Sequence, residues 1–304
     1  MSLGVLNNIS AMYAENNLNQ TDASLQTVLT QLSSGSRINS GADDAAGLSL
    51  ADGLAANSAA LTQSSTNASE GVGLLQVADG ALSQVTSLLN RAITLATEAS
   101  NGTLNTTQLS AANSEYQSIL DEINNIGSTT TYNGQTIFGG SFMVYTGDAT
   151  GGGGFTDTIT LAALTSAAVG DATGSSGLTY TSGGGTATST LTYTPVAADS
   201  ENLSTTDLST TAAAQTALTD IYDAVQDVAA ERGYTGAQSN TLTAVSNVES
   251  TEQVNVASAQ NSIQATDYAS ATSNLSKYEI LEQTGISALA QANTTQQLVT
   301  KLLQ

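Results

Sequence analysis

The sequence predicts a mainly α protein: long antiparallel coiled-coil helices from both chain ends, with a small β-hairpin region and a short surface insertion. Three observations predict it. Apolar residues recur in a 3-4 alternation near both ends and in steps of seven between them. The apolar 40% of the chain includes only ten Tyr and three Phe, so the core is built mainly of Ala, Leu, Val and Ile, which suits thin helix seams. Between Gly127 and about Asp199 the helical spacing stops, and Gly, Thr and Ser take over.

In chain order, Ala11, Ala14, Leu18, Thr21, Leu25, Val28 and Leu32 form the first seam. A helix from Leu3 to Ser33 is about 45 Å long at ~1.5 Å per residue. From Leu54 a step of seven collects Leu61, Ala68, Leu75, Leu82, Leu89 and Ala96, supported by Val72, Val85 and Ala92. After the stop at Asn101-Gly102, the series Leu109, Ala112, Tyr116, Ile119, Ile123 and Ile126 marks a third helix, able to pair with the second as an antiparallel hairpin. Asn133-Gly134 then signals a tight hairpin. Strands are expected at Phe142 to Tyr145 and Phe155 to Leu161, and an exposed hairpin at Leu178 to Thr181 and Thr190 to Thr194. Helical spacing returns at Leu218, Ile221, Val225 and Val228, less cleanly at Leu242, Val245, Val256 and Ile263, and again at Tyr268, Ala271, Leu275, Tyr278, Gly285, Leu289, Leu298 and Leu302.

The first segment is expected to pack on the last. This divides the chain into a terminal coiled-coil domain (residues 1–40 and 265–304), a rod-like helical core with a small β region (41–170 and 197–264) and a Thr/Ser/Gly-rich insertion (171–196). The subunit-packing residues expected are Leu18, Leu25, Val28, Leu32, Leu275, Tyr278, Leu289, Leu298 and Leu302. Such a slender pair is marginal alone. Stripes left over at Leu6, Leu29 and Ile286 would be buried by further copies, which predicts a filament or tube.

Charge agrees with that layout. The chain carries 26 acidic and 5 basic side chains, net −21. Residues 1–40 and 265–304 each contribute −1, which leaves −19 for the middle. The near-neutral ends suit contact with protein, and the acidic middle suits water. This charge repels phosphate, so nucleic acid is not expected as a partner. Without His or Cys there is no Ser-His-Asp or Cys-His catalysis and no zinc or haem ligation by the usual side chains. No enzyme activity and no cofactor are expected. The start of the chain lacks a basic region followed by a long apolar stretch, so no cleaved signal peptide is expected, and no run of apolar residues long enough for membrane insertion occurs.

Four local signals have plain readings. Asp43 and Asp44 are expected to form a linker that caps the next helix and ties to Arg37, rather than an acid/base pair. Gly151 to Gly154 lacks the Lys-Ser/Thr of a phosphate loop. The carboxylates lack the spacing of a calcium loop. Arg91 and Leu95, four apart and beside the seam, are expected to form one exposed stripe that touches another subunit.

The segment LSSGSRINSGADDAAGLSLADGL from Leu32 to Leu54 resembles bacterial flagellins. So do LLQVADGAL from Leu74, LLNRAITLATEASNGT from Leu88, YNGQTIFGG from Tyr132, ERGYTGAQSN from Glu231, SIQATDYA from Ser262 and ILEQTGISALAQANTTQQLVTKLL from Ile280, in order and over about 200 residues. Gln264 and Ala265 depart from the family's acidic pair before Asp-Tyr-Ala. The resemblance implies a subunit that assembles with itself into the extracellular filament of the flagellum, its terminal helices forming an inner tube. It implies unprocessed export by the flagellar type III apparatus with a chaperone, and contact with filament cap and hook-junction proteins. It also implies recognition by an animal Toll-like receptor at Arg91, Leu95 and Glu115, beside the subunit-contact reading. The alternatives are a hook-filament junction protein and, in another class, an acidic adhesin using the Thr/Gly middle.

Overall fold

The computed structural model describes residues 8–147, 156–169, 176–181, 188–193 and 202–302. Five long helices carry the chain: α1 (Ile9–Ser34), α2 (Ala45–Ser100), α3 (Thr106–Thr129), α4 (Thr211–Gln264) and α5 (Tyr268–Leu302). Two compact units divide it, Met1–Ala55 with Val256–Gln304 and Ala56–Asn255.

In the first unit, α1 and α5 pack as an antiparallel pair. Asn8 Nδ2 donates to the Ala292 carbonyl (3.2 Å) at one end, and Thr266 N–H donates to the Gly35 carbonyl (3.1 Å) at the other. Gly35 ends α1 at φ +70°, the left-handed conformation that closes many helices, and its N–H donates to Gln31 O at 2.9 Å.

The core of the second unit is a heptad seam. On α2 the positions Leu61, Ser64, Ala68, Gly71, Leu75, Ala78, Leu82, Val85, Leu89, Ala92, Ala96 and Ala99 are all buried, so the 3-4 spacing holds without a break. Gly71 rather than Val72 fills the seam there. A Cβ on Gly71 would lie 2.9 Å from Leu242 Cδ1, which explains a residue with no side chain. From α3 come Tyr116, Ile119, Leu120 and Ile123; from α4 come Ala214, Ala217, Ile221, Ala224, Val228 and Leu242. Asp79 with Arg232, Ser65 with Ser246 and Thr62 with Gln253 join α2 to α4 in antiparallel register. A window of 18 residues in α2 reaches a mean hydropathy of 1.2, enough by composition to cross a bilayer, but the apolar stripe of that helix is taken up by this seam.

The seam of α4 explains its weak signature. Between Val228 and Leu242 the seam positions are Glu231, Thr235 and Gln238, and beyond Val245 comes Glu249; all four polar residues are buried. Periodicity in apolar residues alone cannot register them. α3 starts on a capping box, in which Asn105 Oδ1 accepts from Gln108 N (3.0 Å) and Gln108 Oε1 from Asn105 N (3.0 Å).

The β region consists of four separate two-stranded antiparallel ladders among the described residues. β1 (Thr131–Tyr132) and β2 (Gln135–Thr136) are joined by Asn133 at φ +49° and Gly134 at φ +78°, as the Asn-Gly pair predicts. β3 (Ser141–Tyr145) pairs β4 (Thr156–Thr160), with Val144 opposite Asp157 and Phe142 opposite Ile159. β5 (Leu164–Thr165) and β6 (Ala168–Val169) form a hairpin that the sequence did not announce. β7 (Ser176–Thr181) pairs β8 (Thr188–Tyr193) within the expected insertion. Residues 171–175, 182–187 and 194–196 of that insertion, the Gly151 to Gly154 run and Leu6 lie outside the described residues.

Candidate functional site

The α1/α5 pair is covered on one face only. Leu18, Leu25 and Leu32 of α1 are half-buried and Val28 is buried; Leu275, Tyr278 and Leu289 of α5 are half-buried. Gly285 allows the helices to approach, since a Cβ there would lie 3.1 Å from Leu18 Cδ1. Leu298 and Leu302 fall on α5, and their side chains lie outside the described residues.

Large apolar side chains remain in solvent on the same helices. Ile9, Met12 and Tyr13 are 60%, 63% and 68% exposed, and Ile280 and Ile286 are 62% and 53% exposed; Leu29, Leu281 and Tyr268 are also open. Only single exposed hydrophobes are ordinary on a folded surface. Here they recur off the seam along both helices. Leu29 and Ile286 were named from the sequence; Ile9, Met12, Tyr13 and Ile280 were not. Counting apolar residues outside the 3-4 positions would have found them.

The loop between α1 and α2 is built from its own polar groups. Asp43 Oδ2 accepts from Asn39 N (3.1 Å), Ser40 N (2.9 Å) and Ser40 Oγ (3.1 Å), and these bonds hold its carboxyl below the usual Asp value. Asp44 Oδ1 accepts from Gly47 N at 2.8 Å and caps α2. Arg37 is not tied to either aspartate. Its Nη2 donates to Ile263 O (2.8 Å) and its backbone N–H to Gln264 O (2.6 Å), carbonyls left without helical partners at the end of α4, while Asp43 and Asp44 are taken up by N–H groups of the loop and of α2.

On the second unit, Arg91 and Glu115 join α2 to α3 through an ion pair at 2.7 Å, with side chains 53% and 47% exposed. Leu95 departs from expectation. It is 3% exposed and belongs to the core, not to an exposed stripe with Arg91. The reason is that α2 meets two neighbours, α3 and α4, so a second row through Leu74, Ala81, Leu88 and Leu95 is covered beside the main seam.

Comparison with known proteins settles the family. Residues 5–143 match the bacterial flagellin N-terminal helical region and residues 218–303 the bacterial flagellin C-terminal helical region. A flagellin of Listeria monocytogenes is 32% identical over 303 residues, covering 97% of this chain and 98% of that one. The chain belongs to the bacterial flagellin family. Among other flagellins, polar flagellin C of Vibrio parahaemolyticus and flagellin A of Vibrio cholerae are each 40% identical over 142 residues, 47% of this chain. The chain spans 37% and 38% of the length of those two Vibrio proteins. The crystal structure of Bacillus cereus flagellin is 26% identical, with a TM-score of 0.44 over 60% of this chain and 88% of that one.

Proposed function

We propose that this flagellin is the structural subunit of the extracellular, helical flagellar filament, and that it assembles through its terminal helices without catalytic chemistry. The observation that carries the reading is the row of exposed apolar residues on a helix pair whose covered face is only half-buried. Burying one such side chain is worth about 1.5–3 kcal/mol, and repetition along two helices makes polymerisation favourable. In the assembled state Leu18, Leu25, Val28, Leu32, Leu275, Tyr278, Leu289, Leu298 and Leu302 hold each pair together, and Met12, Tyr13, Ile280 and Ile286 meet neighbouring copies.

The test is electron microscopy of purified protein carrying Met12→Glu and Ile280→Glu, with circular dichroism alongside. Loss of fibres with unchanged helicity is expected; fibres like those of the parent would contradict the proposal. Long fibres from the parent chain alone also separate a filament subunit from a hook-filament junction protein.

Export without a cleaved signal, with the flagellar apparatus, its chaperone, and the cap and junction proteins as partners, completes the reading; the family relationship supports it. A receptor contact is proposed at Arg91 and Glu115, which are exposed and paired, while Leu95 supports them from beneath. Weaker binding of Arg91→Ala to an animal Toll-like receptor is expected, and undiminished affinity would remove that part.

A further inference from the structure

Among the described residues the second unit buries four carboxylates, Asp157, Asp227, Glu231 and Glu249, and two of them, Glu231 and Asp157, lie near Tyr234. Glu231 occupies a seam position of α4 at 3% exposure; its Oε1 accepts the Ala162 N–H at 2.9 Å and its Oε2 has no partner among the described residues. Asp157, 2% exposed, stands on the inward face of β4 opposite Val144, with Oδ1 unpartnered among the described residues. Tyr234, one turn beyond Glu231, has both carboxylates as neighbouring charges. Its hydroxyl accepts from Gln238 Nε2 (2.8 Å) and bonds the backbone of Thr160. The polar links from Thr160 and Ala162 to α4 thus end on this set.

Its surroundings offer little relief to negative charge. Asp227, buried one turn before Glu231, repels the ionised form. Arg232, next in the chain, is engaged by Asp79 of α2 at 2.8 Å. The Tyr234 hydroxyl is itself pushed up by burial and stays neutral. Among the described residues no Lys or Arg forms an ion pair with Glu231 or Asp157.

We propose that Glu231 and Asp157 form a proton-operated latch: protonated, they hold the β3–β4 ladder and Ala162 against α4, and ionised, they release them. Burial pushes Glu231 up to about 7 and Asp157 up to about 6, so the latch works in the mildly acidic to neutral range. A buried ionised carboxylate is costly, and for Glu231 the burial and the neighbouring Asp227 outweigh the stronger bond that the ionised form accepts from Ala162 N–H. The ladder carries Met143, 75% exposed, and Tyr145 on its outer face, so proton occupancy sets how firmly that face is presented.

The test is amide hydrogen exchange on the full chain at about pH 5.5 and about pH 8.5, with rates corrected for intrinsic chemistry. The segment Ile159 to Ala162 is expected to be more protected at the lower pH by about tenfold or more, the factor supplied by one pH unit of coupled carboxyl titration. Glu231→Gln with Asp157→Asn should remove that difference, whereas Glu98→Gln, an exposed change that relieves only general repulsion, should leave it. Equal corrected protection at both values in the parent, or a difference that survives the double substitution, would overturn the latch. If the double variant does not fold, carbon-13 titration of Glu231 in the parent decides: a midpoint near 7 supports the proposal, and one in the ordinary Glu range overturns it.

Discussion

Gly127 of α3 runs so close to Leu164 of β5 that a Cβ on the glycine would fall 1.8 Å from the Leu164 carbonyl oxygen. The obstacle is backbone, which cannot swing aside. Alanine would be favoured over glycine in the helix by about 1 kcal/mol, yet the forced displacement costs about 1–3 kcal/mol. Gly127→Ala should therefore lower the urea midpoint of unfolding, and a raised midpoint would show that the β5–β6 hairpin yields.

Leu89 and Leu29 separate folding from assembly. Leu89 is fully buried in the α2 seam, so Leu89→Ala should destabilise the second unit by about 2–5 kcal/mol. Leu29 is 48% exposed on α1, so Leu29→Ala should change monomer stability by under about 0.5 kcal/mol while slowing fibre growth. Denaturation curves and light scattering on the same samples check both.

The α1–α2 loop should respond to acid. Three donors hold the Asp43 carboxyl below its ordinary value of 3.8. A carboxyl lowered in the folded state stabilises above the unfolded value, and the contribution is lost as pH falls through the folded one. Loop amides of Asn39 and Ser40 should stay ordered at neutral pH and shift only under strongly acidic conditions. Nuclear magnetic resonance titration of Asp43 checks this, and Asp43→Asn should weaken the loop at neutral pH.

Salt should favour polymer growth. The middle of the chain carries −19, and among the described residues only two ion pairs form, Arg91–Glu115 and Arg232–Asp79. Screening to a length of about 8 Å at physiological ionic strength reduces repulsion between neighbouring copies. Fibre growth followed by scattering should accelerate from low to moderate salt, and a flat response would contradict the charge layout.

The elements most legible in the sequence are those whose seam positions are apolar. The 3-4 series of α1 and the steps of seven in α2 coincide with their covered positions because Thr21 is the one polar residue in either series. α4 is harder to read, since Glu231, Thr235, Gln238 and Glu249 take seam positions through hydrogen bonds that spacing does not reveal. Leu95 was misplaced for a related reason: a single seam describes a pair of helices, and α2 has two neighbours. The β5–β6 hairpin turns through Ser166-Ala167, which lacks the Gly, Asn or Pro that marks a turn in sequence. Arg37 was assigned to the nearest carboxylates in sequence, whereas its acceptors are 226 residues away at Ile263 and near it at Gln264.

If neighbouring copies alone complete the terminal helices, hydrogen exchange on α1 and α5 must differ between dilute chain and fibres. Rapid exchange over both helices is expected in the dilute protein and strong protection in the fibre, with the α2 seam protected in each. Full protection of α1 and α5 in the dilute chain would contradict it.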